Sequence, residues 1–157
     1  MKRKNFNDLV AELAPHVQEV FPWDVLDEIA SNPDIVLLDV RCPLEFQNMH
    51  IENSINVPRG VLETAVDWGY EQTLPELVMA RDKRVVVICR SGKRSVLAAY
   101  TLQLMGFENV VSLKTGLRGW NDSEQALVDP AGQTIDLEDG DIYFQEKVRP
   151  EQLGPRP

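Results

Sequence analysis

Apolar positions along the chain follow two spacings. Phe6, Leu9, Val10 and Leu13 recur at helical intervals and predict a short amphipathic helix. Val17 to Val20 predicts a short strand. Pro22 opens a second helix carrying Val25, Leu26 and Ile29, and Asn32-Pro33 ends it. Ile35 to Val40, Val85 to Ile88 and Val110 to Leu113 are continuous apolar runs, interrupted only by Asp39 and Ser112. Runs of that kind, separated by helical patterns, predict parallel strands covered on both faces. Ser95 to Met105 is helical and apolar nearly all round, with Gly106 as its stop. Strand, loop, helix and strand from Arg84 to Leu113 make a βαβ unit. The fold class is therefore α/β, with helices on both faces of a sheet. No internal repeat is visible. From Asn121 the texture changes. Asp129-Pro130-Ala131-Gly132 is a turn. Ile135-Asp136-Leu137 and Ile142-Tyr143-Phe144 flank an acidic, glycine-containing stretch, which predicts a small hairpin or an extended tail. Residues Arg149 to Pro157, rich in proline and polar groups, predict a surface strap or disorder.

Composition narrows the function classes. A chain of 157 residues with 43% hydrophobic positions fits one globular domain. No apolar run reaches the length of a membrane span. The basic start, Met1 to Lys4, runs into Asn7, Asp8 and Glu12 instead of the apolar stretch of a secretory signal. A cytoplasmic protein with no membrane partner is expected. The net charge of −9 argues against a nucleic-acid partner, which needs a basic footprint. Against that acidic background, Arg81 to Arg94 holds six basic residues and one acid, Asp82. Arg81, Lys83 and Arg84 read as a solvated turn. The two cysteines, Cys42 and Cys89, are expected to be reduced thiols in the cytoplasm. With only His16 and His50 beside them, a structural zinc site would need all four. No metal and no cofactor are expected.

The chemistry centres on Cys89. It follows an apolar strand and precedes a helix, at the strand end where parallel sheets bind ligands. The helix starting near Ser95 offers unpaired amides and the positive end of its dipole. Gly92 lets the loop turn its amides inward as an anion nest, and Arg90, Lys93 and Arg94 add full charges. Each effect favours the thiolate, which is the nucleophile. The same nest would hold a small oxyanion or the terminal sulfur of a persulfide. The plainer reading, a core cysteine ending a strand, is common for free thiols, and the basic loop weighs against it.

These residues resemble a known family. Cys89-Arg90-Ser91-Gly92-Lys93-Arg94-Ser95 is similar to the active-site loop of single-domain rhodaneses. Leu38-Asp39-Val40-Arg41, with Glu45-Phe46, His50-Ile51 and Ser54-Ile55-Asn56-Val57-Pro58, resembles their D-V-R…E-F…H-I…A-I-N-x-P segment. Leu113 to Trp120 resembles their closing L-x-G-G-x-x-x-W, with Thr115 in place of the first glycine. The resemblance covers about Val17 to Trp120. It implies a three-layer α/β/α domain over 17–120 with a five-stranded parallel sheet. Residues 1–16 are then a helical extension and 121–157 a C-terminal extension or tail, neither assigned a function.

The resemblance also implies a sulfurtransferase in which catalytic Cys89 cycles through a persulfide. The donor would be a small anion such as thiosulfate, and the acceptor a thiol, cyanide or a sulfur-relay protein. Arg90, Ser91, Gly92, Lys93, Arg94 and Ser95 are the expected substrate-binding loop. Arg94 is placed to fork an oxyanion, and Arg90 and Lys93 to act from the rim. Asp39, Arg41 and His50 are expected to be structural, with Glu45 a partner for Arg41. Trp23 and Trp120 are expected to pack. Cys42, at a neighbouring strand end, is either a resolving thiol or an unreactive one, and its lack of basic neighbours beyond Arg41 favours the second. Two other classes remain. A relay carrier would pass sulfur to a protein with little turnover. A cysteine phosphatase or arsenate reductase would need arginine six residues after the cysteine, where this chain has Ser95.

Overall fold

The computed structural model describes residues 1–155. Five strands, β1 (Glu19–Val20), β2 (Val36–Asp39), β3 (Ile55–Asn56), β4 (Arg84–Ile88) and β5 (Asn109–Leu113), form one parallel sheet in the order β1-β5-β4-β2-β3. The helices are α1 (Phe6–Leu13), α2 (Pro22–Ser31), α3 (Pro43–Asn48), α4 (Leu62–Ala65), α5 (Pro75–Val78), α6 (Arg94–Leu104), α7 (Gly116–Asp122) and α8 (Leu137–Tyr143). Among the described residues, no helix is long and apolar enough to cross a membrane.

The three apolar runs became β2, β4 and β5, the middle of the sheet. Side chains alternate along β4. Val85, Val87 and Cys89 enter one core with Leu62 of α4 and Val96, Ala99 and Leu102 of α6. Val86 and Ile88 enter the other with Val25 of α2, Leu117 and Trp120 of α7, and Phe144. That alternation is the period of a strand. It aims Cys89 at the face that α6 covers, beneath the helix N-terminus. Pairing of Leu38 with Val87 and Asp39 with Ile88 sets the ends of β2 and β4 side by side. The loops carrying Cys42 and Cys89 therefore leave one edge of the sheet together.

Residues 137–143 are helix α8, not one arm of a hairpin. The Asp139-Gly140 pair looks like a turn in isolation. In the fold Gly140 lies at a helix crossing, where a Cβ would overlap the Asn121 side chain of α7. Asn121 Nδ2 also donates to Asp141 Oδ1 at 2.7 Å. Glu138 and Asp139 sit in the first turn of α8, where acids favour a helix. Beyond it, residues 150–152 make an exposed turn of 3₁₀ helix. Arg156 and Pro157 of the expected strap lie outside the described residues.

The basic turn before β4 is also less solvated than its composition suggests. Arg81 donates to the carbonyls of Met105, Val78 and Val66, and Arg84 forks Glu28 of α2 at 2.7 and 2.9 Å.

Candidate active site

Cys89 directly follows β4, with its side chain fully buried. Its Sγ accepts from the backbone N–H of Gly92 at 3.1 Å and of Ser95 at 3.3 Å. Ser95 Oγ lies 3.3 Å from the same sulfur and 2.7 Å from the buried hydroxyl of Ser112 on β5. Two amide N–H groups thus converge on one sulfur at the start of α6, an arrangement that stabilises negative charge there, while the thiol itself donates to Ser95 Oγ. An incoming sulfur atom has to reach into this nest, since the thiol is not on the surface.

The loop is held from below by α7. Leu117 N donates to Cys89 O and Arg118 N to Arg90 O, both at 2.9 Å. Gly92 and Gly116 take positive φ, +84° and +61°, and a Cβ on Gly116 would come within 2.5 Å of Arg90 O. Glycine is needed at that close approach. Thr115 keeps the left-handed turn, with φ of 67°, despite its branched side chain. A Cβ at Gly119 would overlap the Thr115 hydroxyl, so Gly119 supplies the room that the threonine occupies.

Asp39 and Arg41 form a fully buried ion pair. Arg41 Nε and Nη2 fork the Asp39 carboxylate at 2.8 to 3.1 Å, while Nη2 also donates to Met49 O at 2.7 Å and Nη1 to Glu45 O at 3.3 Å. The pair stitches the end of β2 to both ends of α3. The Glu45 carboxylate is not Arg41's partner, because the Arg41 fork is filled by Asp39. It turns instead to Arg94, accepting from Nη1 and Nη2 at 3.0 and 2.8 Å, and it also accepts from Cys42 N. Burial pushes the Glu45 carboxyl upward, but the Arg94 hydrogen bonds, the Cys42 amide and the charges of Arg94 and Arg41 outweigh it and leave it below its ordinary value. Arg94 is raised chiefly by its hydrogen bonds to Glu45, against the opposing effect of burial, and also lies within electrostatic reach of both thiols. Its guanidinium is therefore already occupied. His50 stacks on Phe46 with centroids 3.9 Å apart, and its Nδ1 lies 2.8 Å from Phe46 O. The ring ties α3 to the segment that follows it. Cys42 is exposed at the N-terminus of α3.

Two grooves meet at the loop. One, of about 850 Å³, is lined by Arg90, Ser91, Lys93, Arg118, Tyr143, Glu146, Lys147, Val148 and Gln152. The other, of about 520 Å³, shares Ser91 and Arg118 and runs to Phe21 and Trp23. Those two rings stack at 4.6 Å, and Trp23, expected to be packing, is 53% exposed. Trp120 is core as expected, and its Nε1 donates to Ala126 O at 3.0 Å. Sequence reasoning assigned no function after residue 144, yet Arg90 donates to Gln145 O at 3.0 Å and lies over the Phe144 ring. The spacing of Leu137 and Phe144, two helical turns apart, is a signal that could have pointed to a packed element there.

The rhodanese-like domain model matches residues 23–123. The chain belongs to this family. It is 26% identical over 116 residues to the sulfurtransferase of Allochromatium vinosum, covering 74% of this chain and 99% of that one. Across the first four curated relatives, the chain spans from 24% to 99% of their lengths. Among solved structures it is similar to the polysulfide-sulfur transferase homodimer of Wolinella succinogenes. That similarity has a TM-score of 0.62 and 27% identity, over 80% of this chain and 88% of the other. It is similar to a Rhodopseudomonas palustris protein of unknown function with a TM-score of 0.72 and 28% identity, over 80% and 95%. Rhodanese-like domains occur in sulfurtransferases and sulfur carriers, and this chain shares their fold and family.

Proposed function

We propose that the protein transfers sulfane sulfur from thiosulfate or a persulfide donor to a thiophilic acceptor by way of a Cys89 persulfide. The observation that carries the reading is the pair of amides, Gly92 and Ser95, aimed at Cys89 Sγ. The Cys89 thiolate attacks the outer sulfur of thiosulfate, a Cys89 S–S bond forms, and sulfite leaves with the electron pair of the broken bond. The nest then faces the terminal sulfur of Cys89–S–S⁻, which an acceptor thiolate or cyanide removes in a second displacement. Sulfurtransferases and carriers among the relatives support this reading. Intact mass after incubation with thiosulfate is expected to show an adduct of about 32 Da on Cys89, the signature of a persulfide. A protein whose mass does not change would sink the proposal.

The bound state of Arg94 reshapes its expected role. With its fork on Glu45, Arg94 adds less charge to the nest than its position suggests, and it screens the Glu45 carboxylate from an arriving anion. Arg94→Ala is expected to lower kcat/KM for thiosulfate by about 1–3 kcal/mol. Part of that loss comes from Glu45, left as a bare carboxylate beside the site. Adding Glu45→Gln to Arg94→Ala should then recover a measurable share of the rate. Equal rates in the single and double variants would show that the Glu45 charge does not reach the reaction.

A further inference from the structure

Ser112 is the one polar side chain within the apolar run Val110 to Leu113, and it is fully buried. It points, like Val110, to the face of the sheet that α6 covers, where Cys89 lies. A hydroxyl set among valines costs stability unless it is hydrogen-bonded. Among the described residues this hydroxyl has one partner, Ser95 Oγ at 2.7 Å. Ser95 Oγ in turn lies 3.3 Å from Cys89 Sγ. All three residues are fully buried, so the sulfur and the two hydroxyls form a short chain of two contacts, shielded from solvent.

The number of hydrogens decides which way that chain points. With Cys89 protonated, three hydrogens share two contacts. The thiol donates to Ser95 Oγ, and one of the two hydroxyl hydrogens finds no acceptor in the chain. With Cys89 as thiolate, two hydrogens share two contacts. Ser112 then donates to Ser95, Ser95 donates to the sulfur, and every hydrogen is used. The sulfur in that state accepts from the amides of Gly92 and Ser95 and from the Ser95 hydroxyl together. Hydrogen bonds aligned in one direction toward a charge strengthen one another, and they do so most where the local dielectric is low. The contact between the two serines is therefore worth more beside a thiolate than beside a thiol.

We infer that Ser112 is a positioning residue for the sulfur chemistry: it turns the Ser95 hydroxyl into a donor to Cys89 Sγ and so sustains the thiolate that attacks the sulfur donor. The inference rests on Cys89 being the sulfur-transfer residue, as proposed above. Ser112 touches no substrate and acts through Ser95. The thiol proton passes to solvent as the chain reverses, and no covalent bond besides S–H changes. Other groups set the field around Cys89. Its own loop and α6 bring Arg90, Lys93 and Arg94. From α3 comes Glu45, paired with Arg94, and from the end of β2 the Asp39–Arg41 pair. Arg118 of α7 and Tyr143 of α8 line the groove above the loop, and β5 itself brings no charge. None of these groups hydrogen-bonds to Ser112, so neutral substitutions there leave the field in place.

Cys42→Ser serves as the parent protein, since it leaves Cys89 the only thiol of the chain. The readout is the ultraviolet absorbance of the thiolate against pH, with the Cys42→Ser, Cys89→Ser protein subtracted to cancel the tyrosines. Ser112→Val and Ser112→Thr fill similar volumes and differ in the hydroxyl. Ser112→Val is expected to raise the titration midpoint by about half a pH unit, a roughly three-fold smaller thiolate population at pH values below it. Ser112→Thr, which restores the donor, should stay within about 0.2 of the parent. Ser112→Ala needs no extra room, should shift as Ser112→Val does, and carries the comparison if the valine variant does not fold. The acidic limb of kcat/KM for thiosulfate should move with the absorbance, while the rate above that limb changes by about two-fold at most. A packing defect alone would lower the rate at every pH and leave the midpoint in place. An unmoved midpoint in Ser112→Ala overturns the inference, and so does an equal shift in Ser112→Thr. The absorbance is read without any sulfur donor, so failure of thiosulfate to load Cys89 would sink the proposed function while the midpoints still judge Ser112.

Discussion

Cys89→Ser is expected to abolish sulfur transfer, by roughly a thousandfold or more in turnover, while leaving the fold in place. The two halves of that expectation have separate causes. A serine hydroxyl remains protonated at neutral pH and is a poor nucleophile without a base. Nothing in the nest supplies one: the groups on Sγ are the amides of Gly92 and Ser95 and the Ser95 hydroxyl, itself bonded to Ser112. The His50 ring is engaged with Phe46. The fold should survive because oxygen can accept from the same two amides, and the replaced atom is only slightly smaller. Thiosulfate–cyanide turnover and the mass adduct should vanish together, with the urea midpoint nearly unchanged. Substantial turnover in this variant would move the chemistry elsewhere, and Cys42 would be the first place to look.

The parts of the fold that could be read from the chain are those where one periodicity dominates. Val85 to Ile88 and Val110 to Leu113 became central strands because they are buried on both sides, so no polar face obscures the pattern. The Cys89 loop was legible for a related reason. Its amides are a consequence of where a strand ends and a helix starts, and Gly92 marks the turn between them. What could not be read depended on contacts between distant segments. Glu45 had one arginine near it along the chain, Arg41, and only the prior claim of Asp39 on Arg41 leaves it to the distant Arg94. Gly140 resembled a turn residue until the neighbouring helix α7 showed why a side chain would not fit. Lys147 and Tyr143 carry no motif at all. They come to the site because Phe144 is buried in the core and draws its neighbours over the Cys89 loop.

That same dependence on distant contacts makes Asp39→Ala a test of what holds the site's architecture. The carboxylate is fully buried and accepts from Arg41 N, Nε and Nη2. Its removal leaves the Arg41 guanidinium, also fully buried, with only the carbonyls of Met49 and Glu45. Carbonyl dipoles satisfy N–H donors but do not neutralise a charge, and an unpaired charge away from water is costly. Breaking such a pair from one side costs about 3–5 kcal/mol, a large share of the stability of a domain this size. Replacing both partners with apolar residues of similar volume, as in Asp39→Leu with Arg41→Met, removes the stranded charge. The double variant should therefore be more stable than Asp39→Ala. Its activity should nevertheless fall, because Arg41 also holds the start and end of α3, the helix that carries Glu45 to Arg94. Urea unfolding measures the first effect and thiosulfate turnover the second. A loss below about 1 kcal/mol in Asp39→Ala, the scale of an exposed ion pair, would mean that water reaches Arg41 and that the pair is not the clamp described here.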